Sequence, residues 1–292
     1  MKAGTGKFSK QLWRELADLG VLALVTPEAD GGAIEMVAAC EALGGALFPG
    51  PVAHTFLATQ LLAEADRIGV ASGAEVVSVG VPPLMPWAPV AGRFIELDGP
   101  RAWIAAPRSE ILEVETLGGE PWGRVELSRT AELGNAARGL LLYDIALAAY
   151  LTAAGRQLVE RTSAHASTRK QFGRSLGEFQ AVAHPLADCD MHLCASETLA
   201  RRAAFQFDAK FDASRNAEAA ALAQLQFDAG AARLSATSAS LEAAYVSHQL
   251  FGAVGITLEG PVFHASRRIR QLASQVPDEQ LARVALLDRF GL

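Results

Sequence analysis

The residues whose types and order could do chemistry begin at Arg169, in the stretch Arg-Lys-Gln-Phe-Gly-Arg-Ser-Leu-Gly-Glu-Phe-Gln that ends at Gln180. An arginine at a helix end can grip a phosphate through its planar fork of N–H donors, and Phe172 sets a flat apolar face beside it. Gly173 and Gly177 give the loop its permissive backbone positions. Taken alone, an arginine and a phenylalanine at a helix end are more often structural. A second stretch starts at Gln249, reads Gln-Leu-Phe-Gly-Ala-Val-Gly-Ile-Thr-Leu-Glu-Gly-Pro, and precedes Arg267, Arg268 and Arg270. Those three arginines are the densest basic spot in the chain, and a solvated helix face accounts for them.

The elements that must position these stretches are helical. Leu147, Leu151, Ala154 and Leu158 recur at helical spacing before Arg169, and Phe179, Val182, Leu186 and Leu193 after it. From residue 138 onward the pattern predicts helices at 140–168, 179–207, 216–250 and 261–274, with a shorter one at 278–289. Leu234, Leu241, Tyr245 and His248 make the stripe of the third, and the short links suggest an up-and-down bundle. Near the start, Leu12, Leu16 and Leu19 with Trp13 predict a helix over 9–21 closed by Gly20. Met36, Cys40, Leu43 and Leu47 predict a second, and a third is expected over 53–66. Between these helical ends, alternating runs at Glu75–Val81, Phe94–Leu97, Ala102–Ala105, Ile111–Val114 and Arg124–Leu127 read as strands. The expectation is a mainly α chain with a small central β-domain: an N-terminal helical domain (1–72), a reduced β-domain (73–132) and a C-terminal four-helix bundle (133–292).

Taken together, the order and spacing of the two stretches resemble the C-terminal domain of the acyl-CoA dehydrogenase flavoenzymes. That family carries an Arg-x-x-Phe-Gly…Phe-Gln segment, then Gln-x-x-Gly-Gly-x-Gly…Glu-x-Pro ahead of a basic helix. The resemblance covers nearly all of residues 140–275 and, more loosely, residues 10–60. It implies α,β-desaturation of an acyl-CoA thioester: a base takes the α-proton, FAD accepts the β-hydride, and electron-transfer flavoprotein is the final acceptor. It also implies that the adenine-diphosphate end of FAD crosses a subunit boundary into the neighbouring chain. By position Arg169 would pair with the pyrophosphate, and Phe172 and Leu176 would pack against the adenosine. Gln180 and Gln249 would give amide hydrogen bonds, and Gly252 and Gly255 would let the backbone approach the phosphates. Ala253 stands where the family has the second glycine of its trio.

The same resemblance exposes gaps. Counting from Phe172 and from Gln249 puts the family's two alternative positions for the catalytic glutamate at Tyr143 and Val276, and neither is a carboxylate. Asp144 follows Tyr143, but adjacent helical residues point about 100° apart. Asp278 and Glu279 follow Val276 and read as a helix start behind Pro277. Tyr143 could donate a hydrogen bond, yet a phenol with a pKa of ~10 is a poor base. The Thr-Glu-Pro-x-x-Gly-Ser-like loop expected to face the flavin near residues 80–92 is replaced by Gly-Val-Pro-Pro-Leu-Met-Pro-Trp-Ala-Pro-Val-Ala-Gly. Three readings follow. The chain is a base-deficient subunit that completes the FAD site of a full acyl-CoA dehydrogenase partner, as in the actinobacterial heteromeric enzymes of steroid side-chain degradation. Alternatively it is a stand-alone, homo-oligomeric enzyme with Asp144 as a relocated base, or a scaffold of the same fold.

Composition bounds the rest. A chain of 292 residues with half of them hydrophobic holds more than one packed unit. Its net charge of −6, with no basic block, argues against nucleic acid as a partner. Cys40, Cys189 and Cys194 form no metal or disulfide pattern and are expected as core thiols. With no signal peptide and no apolar run of spanning length, a cytoplasmic, membrane-free protein is expected.

Overall fold

A computed structural model describes residues 8–211 and 219–275, together with Leu287. Helix α1 (Lys10–Asp18) starts where the Ser9 hydroxyl accepts the Leu12 N–H at 3.3 Å, and ends at Gly20 in the left-handed region (φ 78°). Its buried residues are Trp13 and Leu16, whereas Leu12 and Leu19 of the expected stripe face solvent. The large indole turned the helix toward itself. Helix α2 (Ala33–Gly45) receives its N-cap from far along the chain: Asp208 accepts the N–H groups of Ala33 (2.8 Å) and Ile34 (3.1 Å). The single helix expected over 53–66 is two, α3 (Val52–Leu61) and α4 (Glu64–Ala71). The chain extends at Leu62 to bury that side chain, and Arg67 donates to the Leu62 carbonyl at 3.0 Å.

Seven strands follow: β1 (Val77–Gly80), β2 (Leu84–Pro86), β3 (Arg93–Asp98), β4 (Arg101–Pro107), β5 (Leu112–Val114), β6 (Trp122–Arg124) and β7 (Leu127–Asn135). One sheet has the order β1-β3-β4-β7, with only β1–β3 parallel; the other is antiparallel, β2-β6-β5. Met85, Ala88, Phe94 and Val125 fill the space between them. The expected run Arg124–Leu127 spans the break between β6 and β7. There Val125 leaves the strand path to be buried, donating its N–H to the Pro83 carbonyl at 2.8 Å. β7 continues to Asn135, three residues past the expected limit.

The C-terminal half is built on α5 (Ala137–Thr168), α6 (Gln180–Lys210) and α7 (Ala219–Phe251), with a short α8 (Phe263–Ala273) in place of a fourth long helix. The expected helix over 278–289 and residues 216–218 of the third lie outside the described residues. Helix α5 is, among the described residues, the one helix long and apolar enough to cross a membrane; 72% of that apolar window is buried inside the protein. The buried face of α7 is made of small residues (Ala229, Ala232, Ala236, Ala239, Ser240, Ala243, Ala244), while Tyr245 of the expected stripe points outward. Alanines and serines win the interior because α5 and α7 lie close: a methyl group on Gly155 of α5 would sit 3.1 Å from the Ser240 Cα. Cys40 and Cys189 are core thiols as expected, but Cys194 is exposed.

The tightest contact is between α2 and α5, where a methyl group on Gly44 would strike the Tyr150 carbonyl, whereas Gly45 faces open space. Gly44→Ala is expected to destabilise the fold by ~1–3 kcal/mol, the usual range for overpacking. Gly45→Ala should hold or slightly raise stability. Urea midpoints of the two variants measured side by side test this, and equal midpoints would contradict the packing.

Candidate functional site

At the end of α5 the chain stops being helical at Arg169, whose N–H donates to the His165 carbonyl (2.9 Å) and whose carbonyl accepts the Leu176 N–H (2.8 Å). Between them Lys170–Gln171 (β8) and Arg174–Ser175 (β9) form a two-residue hairpin. Both tip residues are left-handed, Phe172 at φ 54° and Gly173 at 84°, as such turns require. Gly177, expected to share that duty, sits instead in a short 3₁₀ turn; Phe172 takes the second position, at a steric cost of ~1 kcal/mol or more. Its ring is 92% exposed, touching Phe179 edge-on at 6.2 Å. Ser175 N–H and hydroxyl both donate to Glu178, which holds that carboxyl below its usual range and starts α6 at Gln180.

The end of α7 arrives at the same place. Phe251 stacks on His165 with centroids 4.2 Å apart, the Thr162 hydroxyl donates to Ser247 at 2.8 Å, and Leu176 packs with Val246 and Leu250. The chain then turns through Gly252 (φ 57°, open space around it), and Gly255 is buried against His248 and Phe251. The structure therefore brings Arg169, Phe172, Leu176 and Gln180 to the same end of the bundle as Gln249, Gly252 and Gly255. Arg169, Gln180 and Gln249 are exposed there, and Arg169 forms no ion pair with the described residues. This end can offer a guanidinium, two amides, backbone N–H groups and an aromatic face to an outside ligand.

The interior tells a different story. Tyr143 is buried on α5, donates its hydroxyl to the Gln275 side chain, and meets His54 edge-on at 5.1 Å. Gln275 precedes Val276, so the two family positions for a base converge in space, although Val276, Asp278 and Glu279 lie outside the described residues. Asp144 accepts from Arg233 Nη1 at 2.6 Å, and Arg233 Nη2 donates to the Gln275 carbonyl at 2.7 Å. Burial pushes the Tyr143 phenol up to about 12, and burial followed by the charge of Arg233 drives His54 down to about 3. The phenol stays protonated at neutral pH, and the Asp144 carboxylate is held by a buried guanidinium.

The segment expected to face the flavin ring is closed. Trp87 is 2% exposed in a left-handed conformation, touches Phe8 edge-on, and shares with Cys40, His54, Tyr150 and Arg268 a residual cavity of about 30 Å³. A ligand the size of a tricyclic ring needs roughly ten times that. Arg268, read from sequence as part of a solvated face, is buried: it pairs with Glu120 at 2.9 Å and donates to the Tyr150 hydroxyl at 2.7 Å. Burial raises the Glu120 pKa against the pull of Arg268. Arg233, His54 and Glu120 were missed by sequence reasoning. Arg233 had a usable signal, a lone charge inside the alanine stripe Ala229–Ala232–Ala236; Glu120, in a Gly-Gly-Glu-Pro loop, had none.

Residues 136–274 match the family model described as acyl-CoA dehydrogenase, C-terminal domain. The chain belongs to the acyl-CoA dehydrogenase family. It is 28% identical to acyl-CoA dehydrogenase IpdE2 of Mycobacterium tuberculosis over 86% of this chain and 78% of that relative. Its fold is that of a chain in the crystal structure of the ChsE4-ChsE5 complex from Mycobacterium tuberculosis (TM-score 0.78, 21% identity, 97% of this chain and 87% of that one). The Tcur3481-Tcur3483 steroid ACAD is equally close (TM-score 0.79, 19% identity, 99% and 90%). Structures of this fold have been solved with FAD bound. Acyl-CoA dehydrogenases are oxidoreductases acting on CH–CH donors, and the mainly α fold with a small β region is theirs.

Placed beside that cofactor, the exposed bundle end fits an adenosine diphosphate group, whereas the filled interior around Trp87 does not fit a flavin ring. The depressed His54 has a measurable consequence. Above the ordinary histidine pKa of ~6.5 the ring is neutral in both folded and unfolded chains. As pH falls from there toward about 3, only the unfolded chain takes the proton, so stability is lost by up to ~1.4 kcal/mol per pH unit. Chemical unfolding between neutral and mildly acidic pH should show this slope, and His54→Phe should flatten it; equal slopes in the two proteins would refute the assignment.

Proposed function

We propose that this chain is the base-deficient subunit of a heteromeric FAD-dependent acyl-CoA dehydrogenase. A complete partner chain supplies the flavin-ring pocket and the base; this chain completes the partner's FAD site. The observation that carries the reading is the contrast between the two ends of the site: the phosphate-facing motif is exposed, while Tyr143, Gln275 and Trp87 seal the interior. FAD, when bound, supplies the hydride acceptor for α,β-desaturation of an acyl-CoA thioester. Arg169 pairs with its pyrophosphate, Phe172 and Leu176 cover the adenosine, Gln180 and Gln249 bond through their amides, and Gly252 and Gly255 admit the backbone to the phosphates. Residues 133–292 carry all of these contacts.

Two further observations support a partner. Met191 on α6, Tyr245 on α7, and Val254, Ile256 and Leu258 just beyond α7 are each more than half exposed, a set of apolar groups that a lone chain leaves in water. The ChsE4-ChsE5 complex shows that a chain of this fold can assemble with a different one. A heterotetramer is the expected assembly, electron-transfer flavoprotein the expected acceptor, and a steroid side-chain CoA ester the substrate extrapolated from the heteromeric relatives. The stand-alone reading with Asp144 as base is less favoured, because losing Arg233 to deprotonation chemistry would leave a buried charge unpaired.

Purified alone, the chain is expected to be colourless; co-expressed with a complete acyl-CoA dehydrogenase partner it should gain flavin absorbance at about one FAD per pair of chains. Arg169→Ala should then weaken FAD retention roughly 10-fold or more, the worth of a charge-assisted contact. Flavin absorbance in the lone chain, bleached by an acyl-CoA, would overturn the proposal and turn attention to Asp144→Asn.

A further inference from the structure

Midway along α5, away from both ends of the FAD-related site, a cavity of about 370 Å³ opens between α2, α5 and α6. Three carboxylates stand in it, Glu41, Glu160 and Glu197. Two guanidiniums are already committed: Arg156 holds Glu197 at 2.6 Å, and Arg201 bridges Glu197 (2.6 Å) and Glu41 (2.8 Å). Glu160 has no ion pair among the described residues, so the group carries one uncompensated negative charge.

Two buried oxygens point to a ligand independently of the charge. Thr152, 2% exposed, lines the cavity with a hydroxyl that has no hydrogen-bond partner. Gln157 spends its amide nitrogen on the Gly45 carbonyl, which leaves its Oε1 buried and unpartnered. A buried polar atom left this way costs ~1–3 kcal/mol, so such atoms normally have partners. The unmet groups are a carboxylate, a carbonyl oxygen and a hydroxyl, and none is a cation. The complementary ligand brings positive charge and several N–H donors at once. A primary ammonium has three donors and no acceptor. No cluster of three metal-ligating side chains exists among the described residues, and the volume exceeds what a bare ion fills.

We propose that this cavity binds a primary ammonium group on a short aliphatic chain, carried either by a free diamine or by a lysine side chain of another polypeptide. The test is titration calorimetry of the full chain with 1,4-diaminobutane and, separately, with N-α-acetyl-lysine amide. Saturable binding of either is expected. Glu160→Gln should weaken it roughly threefold, an exposed ion pair's worth, and Thr152→Val roughly fivefold, a hydrogen bond's worth. Binding of the diamine assigns a free amine; binding of the lysine amide alone assigns a polypeptide partner. Absence of binding by both at millimolar concentration, or binding that neither variant alters, overturns the proposal. Thr152→Val also separates ligand from packing: without amine it should be more stable than the parent, and added amine should narrow or reverse that difference.

Discussion

The whole structure depends on how closely other backbones can approach α5. Gly139 takes the carbonyl of Leu57 from α3, the Tyr150 carbonyl lies against Gly44 of α2, and Gly155 admits Leu193 of α6 and Ser240 of α7. Each glycine removes a methyl group that would hold two elements apart. The helix between them is apolar on nearly every side, with Leu141, Leu142, Ile145, Leu151 and Leu158 each buried. Burying one such side chain is worth ~1.5–3 kcal/mol, and close packing adds dispersion contacts that a looser seam would forfeit. Because α5 begins beside the β-sheets and ends at Arg169, the same helix fixes the sealed interior and the exposed phosphate-facing end.

That double role explains why the chemistry divides as it does. Near its start α5 is too deeply buried to keep an unpaired charge. Tyr143 remains a neutral phenol, Asp144 is tied to Arg233, and His54 is held neutral by the same surroundings. At its far end the helix frays into the hairpin, and Arg169 and Phe172 are free to meet something outside the chain. One continuous element thus carries a site that burial has silenced and another that exposure leaves open.

Much of this was legible in the sequence, and what was not has identifiable causes. Long helices announced themselves by period, and the two motifs by order. Helix α7 misled because its inward face is alanine and serine, so the large residues Leu234, Leu241 and Tyr245 that dominate any periodicity count mark its rim or outside. In α1, one tryptophan outweighed two leucines. Leu62 broke a helix that its local sequence favours, because a core position was available for it. Burial of Arg268 depended on Glu120, nearly 150 residues earlier in a loop without any pattern, and pairwise chemistry of that kind leaves no trace in local spacing. The convergence of Tyr143 with Gln275 was invisible for the same reason.

The cap on α2 has a consequence in time rather than in space. Ala33 and Ile34 give their N–H groups to Asp208, a partner 175 positions beyond Ala33. A chain made from its N-terminus presents α2 long before residue 208 exists, and contacts this distant in sequence close slowly. The first helices therefore wait, uncapped and with their apolar faces bare, until α5 and α6 have emerged to receive them. Vectorial synthesis makes the C-terminal bundle the template on which the N-terminal helices settle last.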